Sequence, residues 1–307
     1  MKKTFVRAAA LGLVVAACGG SGAVVATVNG AEVTSSEVEA LYSSDLGAVP
    51  VEQFAENLRN TIVELIVIQV ADTQFGITFT PEAVEARRAE LEEQVVSESG
   101  GQSYEDFLEE NGFTDERIYR IAHQQLVATA VEEALIAEAG PITEEALEAR
   151  YDGRLFELTE ACVSHILVET EEEALTAKER IDGGETFAEV AMDVGTDGTA
   201  PNGGELGCTS LGQYVPEFAL GAYEAPLNET TRPVRSQFGY HLILVTERTT
   251  RPFEEVEAEL RTAMEAERGG SLVQEWLLEV VTAADVTVDA EYGTWVTDPF
   301  PAVQPPA

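Results

Sequence analysis

Positive charge is scarce in this 307-residue chain, where 18 Lys and Arg stand against 56 Asp and Glu for a formal net charge of −38. Such a surface repels phosphate backbones and anionic headgroups, which excludes nucleic acid as a partner. Cysteine is also sparse, with only Cys18, Cys162 and Cys208, so at most one internal disulfide can form. Histidine is limited to His123, His165 and His241. No ligand-type neighbour is spaced to meet His123, so it reads as a helix residue without chemistry. Beyond the first seventeen residues no stretch is apolar enough to cross a membrane. What the chain does have is apolar residues, 45% of the total, enough to build real cores. Its length favours two domains plus segments.

The N-terminus opens with MKKTFVR and then AAALGLVVAA, a positive region followed by an apolar run of signal-peptide length. LVVAACGG resembles a bacterial lipobox, which implies cleavage before Cys18 and a diacylglycerol on its thiol. The mature chain is then expected to be extracytoplasmic and held to the cell membrane through that lipid.

From residue 24 to about 140 the pattern is mostly helical. VVATVNGAEVTSSE reads as a strand, an Asn-Gly turn and a helix opened by a capping box of Thr34 and Glu37. Pro50 precedes a long helix that Gly76 can end, and its 62–70 section is apolar almost all round. Thr80 with Pro81, and later Thr114, mark further helix starts, and Gly112 and Gly140 mark stops. Residues 252–289 read as helical again, interrupted at Gly269 and Gly270, with Val273, Trp276, Leu277 and Val280 on one face. The last residues, 291–307, are Pro-rich and expected to be a loose tail.

The informative stretch runs from about 161 to 247. ACVSHILVE and FGYHLILVTE each place a His, His165 or His241, at the start of an apolar, β-branched run of the kind found in interior strands. Between them come FAEVA, a loop rich in Gly and polar residues, GGELG, and GQYVPEF, which holds aromatic candidates for a pocket wall. In this order the five pieces resemble a parvulin-type peptidyl-prolyl isomerase domain. The flanks resemble those of the SurA and PrsA foldases. The implied fold class is α+β: a helical SurA/PrsA-like chaperone domain and a parvulin domain whose mainly antiparallel four-stranded sheet is wrapped by helices. The expected layout is a signal peptide over 1–17, a helical domain over 18–155, the parvulin domain over 156–249, a returning helix and strand over 250–290, and the tail.

By that resemblance His165 and His241 match the two histidines of the parvulin active-site network. Asp197 falls where the family has Cys or Asp near the reacting carbonyl. Leu206, Tyr214 and Phe218 match the residues that hold the proline ring, although Tyr214 stands where Met is commonest, and Thr209 replaces a frequent aromatic. No cofactor or metal is called for. Phosphate-directed parvulins carry a basic cluster after the first strand, whereas this chain has ETEEE at 169–173, which would repel a phosphate dianion. Both remaining cysteines lie in this block, so in an exported protein a Cys162–Cys208 disulfide is expected. Cys162, His165, Cys208 and His241 also make a zinc-like set, set aside because the disulfide uses the same sulfurs and the spacing is poor. The expected activity is rotation of Xaa-Pro bonds in unfolded or partly folded exported polypeptides. The alternative is a weak or inactive parvulin-fold holdase that only binds such clients.

Overall fold

The computed structural model describes residues 22–41, 50–98 and 102–306; the expected signal peptide and Cys18 lie outside the described residues. The chain divides into two compact units. One comprises the described residues up to Gly140 together with those from Glu267 onward, and the other spans Pro141–Ala266.

In the first unit β1 (Val24–Val28) turns at Asn29 and Gly30, both at positive φ, into β2 (Ala31–Thr34). The capping box of Thr34 and Glu37 then opens the short α1 (Ser35–Glu39). Four helices follow: α2 (Val51–Phe75), α3 (Pro81–Glu98), α4 (Tyr104–Asn111) and α5 (Asp115–Ala139). Gly76 and Gly112 end α2 and α4 in the left-handed conformation, which costs glycine nothing. The core lies around Leu58, Ile62 and Ile66 of α2, with Val127 and Val131 of α5 against them. Each such fully buried side chain contributes about 1.5–3 kcal/mol.

The second unit begins with α6 (Glu144–Gly153), then β3 (Thr159–Val168), α7 (Glu171–Asp182) and α8 (Phe187–Val194). After a loop come β4 (Glu205–Ser210), α9 (Pro216–Glu224), β5 (Val234–Ser236) and β6 (Gly239–Thr250). The strands form one antiparallel sheet in the order β4-β3-β6-β5. Strand alternation divides its apolar residues between two cores. Ala161, Val163, Ile243 and Val245 face Phe218 and Ala222 of α9, while Ile166, Val168 and Leu242 face Ala174 and Val190 of α7 and α8. The unit reaches beyond the expected 156–249 because Leu147 of α6, Leu158, Val256 and Leu260 make a small core of their own.

Two expectations for the C-terminal part are corrected, the break in the helix and the loose tail. The helix α10 (Phe253–Ala283) runs through Gly269 and Gly270 without a break. A glycine in a helix interior costs only about 1 kcal/mol, and the packing of Trp276, Val280 and Val281 into the first core exceeds that. The helix stops at Ala283, and β7 (Val286–Val288) pairs antiparallel with β1. The tail is folded, because β8 (Thr294–Val296) and β9 (Ala302–Gln304) form an antiparallel hairpin. Val303 is buried in the first core, Tyr292 lies 5.4 Å from Phe54, and Arg59 Nε donates to the Pro301 carbonyl at 2.7 Å.

Candidate active site

Register brings the two histidines together. On β3 and β6, His165 faces Ile243 and Leu167 faces His241, so the rings are diagonal neighbours on one face of the sheet. Both are buried, at 7% and 4% exposure. The rings stack at 17° with centroids 5.4 Å apart, and their Nδ1 atoms are 3.2 Å apart. Asp197 reaches the other side of His165, with Oδ2 3.0 Å from Nε2. It stands on the loop after α8, which is tied to the sheet by Thr196, whose N–H and hydroxyl both donate to the Leu167 carbonyl at 2.9 Å. The same loop ends at Gly204, whose carbonyl accepts from His165 N–H at 2.8 Å. Gly204 has φ +76, and a Cβ there would collide with the His165 carbonyl.

Two further residues complete the network and left little signal in the sequence. Thr199 Oγ1 lies 3.1 Å from His165 Nε2 and donates to Asp197 at 3.0 Å. Ser236 Oγ lies 2.7 Å from His241 Nε2 and accepts from Phe238 N–H at 3.1 Å. A D-x-T triplet in the loop, and a Ser closing the hairpin that leads into His241, are the only traces they leave.

Donor and acceptor rules assign every proton in this chain when both rings are neutral. Partial burial pushes the Asp197 carboxyl up, but the hydrogen bonds from the Thr199 hydroxyl and from the adjoining His165 ring outweigh it and hold the pKa below the usual value. Asp197 is therefore an acceptor, so His165 Nε2 carries the hydrogen and its Nδ1 accepts. His241 must then donate from Nδ1, leaving its Nε2 to accept from the Ser236 hydroxyl. Burial, and secondarily the neighbouring His165, lowers the His241 pKa to about 4, which keeps that ring neutral near pH 7.

The apolar wall stands edge-on to both rings. The Phe218 ring is 5.6 Å from His165 and 5.2 Å from His241, and Tyr214 lies 4.8 Å from Phe218. Leu206 packs on the same cluster. Burial raises the Tyr214 hydroxyl pKa, so the phenol stays uncharged beside the wall. Cys162 and Cys208 are direct cross-strand partners and are joined, S–S 1.99 Å, so the zinc-like set has no thiolate to offer. His123 belongs to α5 of the other unit, edge-on to Phe79 at 6.4 Å.

A buried histidine pair, anchored by a carboxylate and set against an aromatic wall, thus stands on the four-stranded antiparallel sheet. Residues 153–249 match the family model described as a PPIC-type PPIase domain. Over the longer chain, the similarity is to proteins named foldase protein PrsA. That of Halalkalibacterium halodurans is 29% identical over 272 residues, covering 88% of this chain and 78% of the relative. That of Oceanobacillus iheyensis is 30% identical over 273 residues, covering 84% and 86%. Among solved structures, a PrsA peptidylprolyl isomerase of Bacillus cereus is 25% identical, covering 88% of this chain and 95% of that one, with a TM-score of 0.44. The class is thus a folding helper with a peptidyl-prolyl isomerase domain. Within that class, the chain belongs to the PrsA foldase family.

Proposed function

We propose that this chain catalyses cis–trans rotation of Xaa-Pro bonds in unfolded or partly folded exported polypeptides, acting outside the cytoplasm from a lipid anchor at Cys18. The uncatalysed rotation takes tens to hundreds of seconds because amide resonance must be lost. Catalysis therefore requires a site that holds the twisted amide better than the planar one. Phe218, Tyr214 and Leu206 offer the proline ring a dry surface. His165 and His241 act as mutually oriented groups that set the field at the pocket floor, and Asp197 adds fixed negative charge near the carbonyl carbon as conjugation is lost. Neither role needs proton transfer, a metal or a cofactor. Glu169, Glu171, Glu172 and Glu173 disfavour a phosphate beside the proline, and the net charge of −38 disfavours nucleic acid.

The observation that carries this reading is the continuous hydrogen-bonded chain from Ser236 through His241 and His165 to Asp197 beside Phe218. Its test is turnover of an unphosphorylated Xaa-Pro peptide by the purified protein and by His165→Ala and Asp197→Ala. Loss of a hydrogen bond to a charged group costs about 1.5–3 kcal/mol, so each variant should lose about 10–100-fold in kcat/KM. Wild-type turnover unchanged in both variants would remove the site assignment.

A second reading, client holding with little or no turnover, draws on the helical unit. There a groove of about 390 Å³ is lined by Val63, Val67, Ile68, Ile121 and Leu277, with the Glu64–Arg120 ion pair among its polar residues. A folded wild type without turnover that still suppresses aggregation of an unfolded protein would favour it.

A further inference from the structure

The pocket residue Leu206 sits at an irregular point of an edge strand. Among the described residues β4 pairs with β3 alone, so no second strand holds its register. Val163 faces Gly207 while Ser164 faces Glu205, which leaves Leu206 as one extra residue on β4. Gly207 takes φ +78 at this bulge, a conformation that glycine adopts freely. A bulge re-aims a side chain, and here it turns Leu206 toward the cluster of Phe218, Leu211 and Val163. The arrangement is vulnerable, since a one-residue slip of a strand exchanges the residues of its two faces. A slip of β4 would present Glu205 or Gly207 in place of Leu206, and Glu205 would put a carboxylate against the wall meant for a proline ring.

The irregular residue is pinned on both sides. On one side the Gly204 carbonyl holds His165 N–H at 2.8 Å. On the other, the residue directly after Gly207 is Cys208, joined across the ladder to Cys162. Hydrogen bonds of an edge strand open readily, but a covalent bond cannot shift register without being broken. Cys162 is also only three residues before His165, so the link ties the pocket wall to the strand that carries the histidine.

We infer that the Cys162–Cys208 disulfide is a positioning device for the proline pocket, fixing the register of β4 so that Leu206 faces Phe218. The inference rests on the isomerase reading for its functional consequence, and the two can fail separately. Cys208 is exposed, so a soluble dithiol can reach it. Exchange with the dithiol passes two electrons and two protons to the protein, converting the bond to two thiols while the reductant closes to its own disulfide. Substrate grip then becomes conditional on an oxidising environment, because the bulge is free to migrate once the link is cut.

The test compares the oxidised full chain with the dithiol-reduced, alkylated chain and with the double variant Cys162→Ser, Cys208→Ser. Two properties are read: kcat and KM on an Xaa-Pro peptide, and hydrogen exchange of the 205–210 amides against those of β6. Losing a binding wall while keeping the histidine network should raise KM by about fivefold or more with kcat within about twofold. The 205–210 amides should exchange about tenfold faster or more, with the β6 amides unmoved. Unchanged KM would overturn the inference, as would unchanged exchange in β4. Equal acceleration across β4 and β6 would also overturn it, because that pattern reports general loosening. If the oxidised protein shows no turnover, the isomerase reading fails on its own, and the exchange contrast alone decides whether the disulfide fixes β4.

Discussion

At the residue scale, His241 makes the site sensitive to acid. Its pKa in the folded chain is lowered to about 4, first by burial and then by His165, against about 6.5 for an unperturbed imidazole. Between these values the unfolded chain binds a proton that the folded chain refuses. By linkage, the stability that depends on a neutral His241 is fully present above about pH 6.5 and is lost as pH falls toward 4. Many carboxylates also titrate at the low end of that window, so the informative quantity is a difference. Urea midpoints measured between pH 4 and 8 should fall more steeply with acid in wild type than in His241→Asn, and parallel curves would show that the buried ring is not the source. The protonated ring would also donate from Nε2 as well as Nδ1, turning the Ser236 hydroxyl from donor to acceptor, so turnover should decline over the same window. Only part of this network was legible in the sequence. An apolar, β-branched run marks a strand, and a His at its head stands out. The diagonal meeting of two strands 76 residues apart depends on register, which alternation alone does not reveal. Thr199 and Ser236 are common polar residues in polar surroundings, and no periodicity singles them out.

At the scale of elements, capping chemistry was the most readable feature and glycine inside a helix the least. Thr34, Thr114 and Gly112 stop and start helices where their side chains or backbone freedom require it. Gly269 and Gly270 are the same residue type with a different consequence, because tertiary packing carries α10 through them. The contrast gives opposite predictions for one substitution. Gly270 is exposed, helical, and has nothing within 4 Å of an added Cβ. Gly270→Ala should therefore stabilise the first unit by about 0.5–1 kcal/mol, the helix-propensity difference. Gly204 has φ +76 and a backbone carbonyl, that of His165, where the Cβ would stand. Gly204→Ala should destabilise the second unit by about 1–3 kcal/mol and weaken turnover with it, since strain there is transmitted to the His165 backbone. Denaturant unfolding of the two variants checks both signs, and a stabilising Gly204→Ala would contradict the geometry assigned to that loop.

At the scale of the whole molecule, the chain leaves its first unit at Gly140 and returns to it from Glu267. The return is secured by backbone pairing that composition hides. β7 supplies β1 with a second neighbour, and Asn29 exchanges hydrogen bonds with Asp285 at 2.8 and 2.9 Å. The final hairpin brings Val303 into the core. Pro299 and Pro301 gave this segment the look of a tail, yet both fall in the connection between β8 and β9, where a missing N–H costs no ladder bond. Removing residues 284–307 should therefore leave β1 as an open edge and uncover the apolar surface that Val303 and Tyr292 protect. The second unit has its own sheet and three cores, all built from residues the truncation spares. Turnover of a short Xaa-Pro peptide should then stay within about twofold, while the first unit unfolds at lower denaturant than in the full chain. An unshifted transition would mean that β7 and the hairpin add nothing to the first core. A loss of peptide turnover equal to the loss of stability would mean that the second unit does not fold on its own residues.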